Sequence, residues 1–172
     1  MRRYVIVGVL VVAAVAHGRG KPAPDPAAAA KAVVLRFIDV VYNASHPDSI
    51  DAFVHPDFVD HSPGVPPDAR GPAWVHTQYA NTYAAFPDLR FTVDDAIAEN
   101  DKVVTRWSSH GTFSGKLGEV TGKGQKVMIQ GISIMRIADG KIIESWDLVD
   151  RASMFRQVGF TLTPPAADAK GP

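Results

Sequence analysis

From residue 27 to residue 45 the chain reads AAAAKAVVLRFIDVVYNAS, and Val34, Phe37, Ile38, Val41 and Tyr42 recur at three- and four-residue spacing. That period lays the apolar side chains along one stripe and predicts an amphipathic helix, which the alanines favour further. Asp25 or the alanine-rich entry starts it, and Asn43 and Pro47 help to end it. A short second helix is predicted over 47–54, with Pro47 in its first turn. Residues 55–71, HPDFVDHSPGVPPDARG, read as a loop with room for a short strand at Phe58–Asp60. A third helix is predicted over 71–86, entered through Pro72, with bulky contacts from Trp74, Tyr79, Tyr83 and Phe86.

After Pro87 the period changes to two. LRFTVDDAIAE alternates, NDK makes a turn, VVTRWSSHGTF is a strand, and SGKLGEVTGKGQ is a glycine-rich connection. KVMIQGISIMRI is a long β-branched strand, ADGK a hairpin turn, and IIESWDLVD the last strand. RASMFRQVG makes a closing helical turn. Helices followed by antiparallel strands indicate an α+β fold.

The last strand raises the functional question, because Asp147 sits between Trp146 and Leu148. Residues directly opposite each other in a sheet share a face, so the hairpin turn decides what surrounds this carboxylate. A two-residue Asp139-Gly140 loop places Asp147 across from Ile132, among larger aliphatic groups. A three-residue loop, Ala138-Asp139-Gly140 with Gly140 left-handed, places it across from Gly131. The second is preferred, and it sets Gly131 and Ser133 on the face of Asp147, with Ile143 and Val149. Two small residues there leave room for a ligand.

Composition narrows the class. With 172 residues the chain holds one domain, and 46% apolar content is enough for a packed core. Lys+Arg and Asp+Glu number 18 each and form no basic stripe, which argues against nucleic acid as a partner. There is no cysteine, so disulfides, thiol nucleophiles and Cys-ligated zinc are excluded. At the start, Arg2 and Arg3 precede an apolar run from Tyr4 to Ala16, ending in the small-x-small Ala14-Val15-Ala16. The run is short of the roughly 20 residues of a bilayer span, so residues 1–16 read as an export signal cleaved after Ala16, with a retained N-terminal anchor as the alternative. Residues 17–26 then form a flexible segment, 27–162 the folded domain and 163–172 a Pro/Ala-rich tail. The protein is expected outside the cytoplasm, with no membrane association beyond that signal.

FVHPDFVDHSP, FPDLRFTVDDAIAENDKVVTRW, HGTFSG, TGKGQKV, GISIMRIADGKIIESWDLVD and MFRQVG, in that order and spacing, resemble the SnoaL-like polyketide and ester cyclases of the NTF2-like superfamily. The resemblance covers about residues 30–159. It implies a cone: a curved antiparallel sheet with N-terminal helices closing an apolar pocket, paired as a homodimer through the outer face of the sheet. It implies intramolecular aldol closure of a polyketide ester without metal or cofactor, with the acid/base aspartate falling on Asp147. The chain departs from the family at Phe113, where relatives often carry a further histidine.

The site expected from these readings has Asp147 as the acid/base. A carboxyl in water titrates near 3.9, and an apolar surrounding raises it toward the working range. His110, at the end of RWSSHG, either polarises a substrate carbonyl or stays exposed at a strand end. His61, in VDHSPG, either sits at the pocket mouth or bonds backbone in a loop. Trp74, Tyr79, Tyr83, Trp107, Met128 and Met135, together with Gly131 and Ser133, are expected to line the pocket or the core beneath it. His55 and His61 have no ligand spacing, so no metal is expected. The expected function is cofactor-free enolisation, aldol cyclisation or isomerisation of a small apolar carbonyl compound. A non-catalytic carrier and a hydrolase are the rivals.

Overall fold

The computed structural model describes residues 25–161. The expected export signal, residues 17–24 and the expected tail from 163 onward lie outside the described residues. Helix α1 (Pro26–Phe37) starts where Asp25 accepts a hydrogen bond from the Ala27 amide at 3.1 Å and Pro26 takes the first turn. It buries Val34 and Phe37 of the predicted stripe, together with Ala30. The helix does not continue in α form to residue 45; Ile38–Asn43 are a π-helical turn that keeps Ile38 and Val41 buried. Asn43 anchors the end of that turn, donating to the Phe91 carbonyl at 2.9 Å and accepting from its amide at 2.8 Å.

The second predicted helix is a 3₁₀ turn (Pro47–Ser49) running into α2 (Ile50–Phe53). The chain then extends as β1 (Val54–Asp60), longer than expected, and returns through α3 (Gly71–Ala85). The strands that follow are β2 (Arg90–Glu99), β3 (Lys102–Phe113), a small β4 (Lys116–Leu117) and β5 (Val120–Thr121) hairpin, β6 (Gln125–Ala138) and β7 (Lys141–Val149). Helix α4 (Arg151–Gln157) closes the fold, its N-terminus capped by Asp150 accepting from the Ser153 amide at 2.9 Å.

The main sheet has the order β1-β7-β6-β3-β2. Four strands are antiparallel as expected, but β1 lies parallel to β7 at the edge. Parallel neighbours need a long crossover, and here α3 with the five strands β2–β6 provides it. On β3 and β6 the odd-numbered side chains face the helices and the even-numbered ones face outward, which the burial alternation shows directly. Two apolar clusters occupy the inner side. One holds Val34, Val41, Ile50, Val54, Val103 and Ile142; the other holds Phe86, Leu89, Trp107, Phe113, Val127 and Met154.

The β6–β7 hairpin corrects the expected turn. Asp139 and Gly140 have φ of 50° and 73°, and Ala138 pairs with Lys141, so the loop has two residues of the I′ kind. That loop alone would set Asp147 against Ile132. A bulge between Arg136↔Glu144 and Ile137↔Ile142 adds one residue to β7 and moves Asp147 opposite Ser133. The small-residue face expected for Asp147 is therefore correct, reached by a different register. Ile142, not Ile143, joins Asp147 and Val149 on that face.

Candidate active site

Between the inner face of the sheet and α1, α3 and α4 lies a cavity of about 400 Å³. Its wall is mostly apolar, with Phe37, Val54, Phe58, Phe86, Ile129 and Ile142 among the lining side chains. Asp147 projects into it from β7. Protein surrounds the carboxylate, while one side stays open to the hollow. Among the described residues, no basic side chain pairs with it.

Hydroxyl groups hold Asp147 instead. Ser133 donates to Oδ1 from directly across the hairpin, and Ser133 in turn accepts the Trp107 indole N–H at 2.9 Å. Oδ2 has a long contact with Ser62 Oγ, 3.4 Å. Burial raises the Asp147 pKa above the ordinary carboxylate value; the Ser133, Ser145 and Ser62 hydroxyls work against that rise, and the nearby charge of Asp60 adds to it.

The sequence points to His61, but the side chains that reach the cavity are its two neighbours, Asp60 and Ser62. Strand alternation turns Phe58 and Asp60 inward and His61 outward. Asp60 accepts from the Ser62 hydroxyl at 2.5 Å, the Ser62 amide at 2.9 Å and the Trp74 indole at 2.8 Å. Ser62 also accepts the Asp147 amide at 2.9 Å, so one serine ties β1 to β7 at the two carboxylates. Since its single proton goes to Asp60, the 3.4 Å contact with Asp147 is the weaker one. The parity shared by Phe58 and Asp60 was the available signal.

Tyr42 was also missed as a site residue, because it read as part of the helical stripe. It lines the cavity, and no acceptor among the described residues takes its hydroxyl. Burial, then the charge of Asp147, push its pKa far above that of a free phenol, so the hydroxyl stays protonated and able to donate.

The predicted residues separate into two groups. Trp74, Trp107, Ser133 and Met135 line the cavity with Asp147. Both histidines lie elsewhere. His110 has outward parity on β3 and borders a shallow surface recess with Asp88 and Lys126. His61 is exposed, stacks on Trp146 at 4.8 Å and faces Glu144 at 3.4 Å. Met128 is 43% exposed on the outer face of the sheet. Tyr79 and Tyr83 stack on each other at 4.5 Å behind Tyr42, and Tyr83 donates to the Tyr42 carbonyl at 2.6 Å. They buttress a lining residue without lining the cavity, and burial lifts the Tyr83 phenol to about 12. Gly131 makes no wall either, because the Trp107 ring covers it. Phe113 is fully buried against Phe86, so this position serves the core.

The sequence model of the SnoaL-like polyketide cyclases matches residues 32–158, most of the chain and nearly all of the described fold. The chain belongs to the SnoaL-like polyketide cyclase family. A candidate SnoaL-like polyketide cyclase from Jannaschia sp. CCS1 superposes with a TM-score of 0.73 at 21% identity, covering 83% of this chain and all of that one (100%). IdmH, a candidate polyketide cyclase from Streptomyces antibioticus, gives a TM-score of 0.67 at 27% identity, covering 76% of this chain and 99% of its own. AclR, a candidate hydroxylase from Streptomyces galilaeus, gives 0.69 at 27% identity, covering 81% and 87%. No curated relative matches the chain. The fold is thus the NTF2-like cone of the SnoaL-like proteins. Neighbours described with two chemistries share it, so the reaction must be argued from the side chains in the cavity.

Proposed function

We propose that this SnoaL-like protein is an acid/base enzyme that enolises a small apolar carbonyl compound, closing a ring by aldol addition or moving a double bond. The observation that carries this reading is Asp147: a carboxyl in an apolar cavity, free of any cationic partner among the described residues, with its pKa raised by burial. The Asp147 carboxylate takes a proton from a carbon between two carbonyls, and the electron pair moves into an enolate. The Tyr42 hydroxyl donates to the enolate oxygen. In a cyclisation the enolate carbon attacks a second carbonyl of the same molecule, and the new alkoxide recovers the proton from Asp147. General acid/base help is worth about 10²–10⁴-fold, so the substrate must carry an already acidic C–H, as polyketide-like compounds do.

The test is C–H exchange in D₂O, followed by NMR, on a set of apolar 1,3-dicarbonyl compounds. Exchange well above the buffer rate is expected; none across the set would end the proposal. Tyr42→Phe is expected to lower kcat about 10²-fold with little change in KM, as loss of an oxyanion donor does. An unchanged kcat would remove Tyr42 from this role.

The outer face supports a second part of the proposal, a homodimer. Val104, Ile132, Ile134 and Leu148 are 37%, 48%, 36% and 67% exposed, and pairing across β3, β6 and β7 makes them contiguous. Such a patch favours a partner surface. Light scattering is expected to report a dimer, and Leu148→Glu a monomer. A wild-type protein that is monomeric at micromolar concentration would count against it.

A further inference from the structure

Among the described residues, the cavity lining includes two carboxylates, Asp60 and Asp147, and a single basic side chain, Arg151 at the start of α4. Only two of the lining residues are exposed, Asn81 and Arg151, so these two mark the opening. Among the described residues, no carboxylate lies within ion-pair distance of Arg151. Gln78, Asn81 and Thr82 of α3 bring further polar side chains to the same cavity. An apolar hollow with acids inside and a free guanidinium at its opening suits a polarised ligand. The reacting carbonyl goes inward and a negative group stays at the mouth, since an anion placed deep would meet the charges of Asp60 and Asp147.

We propose that the substrate is an amphipathic acid: an apolar carbonyl compound whose far end carries a carboxylate held by Arg151. This rests on the reading of the cavity as the substrate site and specifies what that site selects. Three residues lie between Asp147 and Arg151, which limits their Cα atoms to about 14 Å. A guanidinium–carboxylate contact at a partly screened mouth is charge-assisted and favours the acid over its neutral counterpart.

The test uses 4-(1-naphthyl)butanoate and its primary amide as a matched pair, titrated by calorimetry at pH 7. The wild-type protein is expected to bind the acid about tenfold more tightly than the amide, and Arg151→Gln to bring the ratio close to one by weakening only the acid. Arg106→Gln, on the outer face and paired with Asp94 at 3.2 Å, is expected to leave the ratio unchanged. No preference in the wild type, a preference that survives Arg151→Gln, or one that follows Arg106 would each overturn the proposal. Acid preference and C–H exchange, both measured on the wild-type protein, separate the two readings. Acid preference without catalysis would sink only the acid/base role; C–H exchange without acid preference would sink only this assignment.

Discussion

Asp147→Asn is expected to abolish exchange and turnover, a loss of about 10²–10⁴-fold, while making the protein more stable at neutral pH. The two effects share a cause. A buried carboxyl whose folded-state pKa lies above its unfolded value binds its proton more tightly when folded. Stability therefore falls as pH rises from the unfolded value, about 3.9, through the raised folded value, and stays reduced above it. Asparagine keeps the shape, its oxygen still accepts from Ser133, and its amide has the second lone pair of Ser62 to meet. It carries no charge to bury. The melting temperature of Asp147→Asn is thus expected to exceed wild type at pH 7, with the gap closing as pH approaches 4. Activity of the wild type, with Asp147 as base, should climb with pH through that same raised value. A variant that keeps its rate, or a melting gap that widens in acid, would contradict the assignment.

Much of this site was visible in the pattern of residues, and what was hidden has identifiable reasons. Alternation along β3 put Trp107 and His110 on opposite faces, and that split is present: Trp107 enters the cavity and His110 faces out. The histidine attracted attention by its chemistry although its parity opposed an inward position. Asp147 was found because a carboxylate between Trp146 and Leu148 in a strand is conspicuous. The extra residue near Ile143 left no such mark, since bulges arise where local twist and pairing demand them. The face came out right because the three-residue turn and the bulged two-residue turn differ in register by two positions, an even shift. Tyr42 and Ser62 were concealed for another reason. One looked like helix packing and the other like loop polarity; only the parallel pairing of β1 with β7 brings Ser62 to the strand that carries Asp147.

Gly131→Ala is expected to destabilise the protein by about 1–3 kcal/mol through overpacking, against the few tenths that a residue with open space around it would show. The reason is Trp107, directly opposite on β3. A Cβ at Gly131 would stand 2.4 Å from its Cζ2 atom and 2.8 Å from the Leu148 carbonyl oxygen. The indole cannot give way cheaply, because it is buried, packs on Phe91 at 5.4 Å and donates to Ser133. Gly131 therefore acts on the cavity at one remove: it makes room for the ring whose N–H orients the serine that orients Asp147. A double-mutant cycle isolates this. Trp107→Phe alone loses the indole hydrogen bond and costs stability. In that background Gly131→Ala should cost less, with only the 2.8 Å contact to the Leu148 carbonyl left to relieve, giving a favourable coupling of about 1 kcal/mol or more between the two positions. Denaturant melts of the four proteins measure it, and additive costs would show that the methyl group meets something other than the tryptophan.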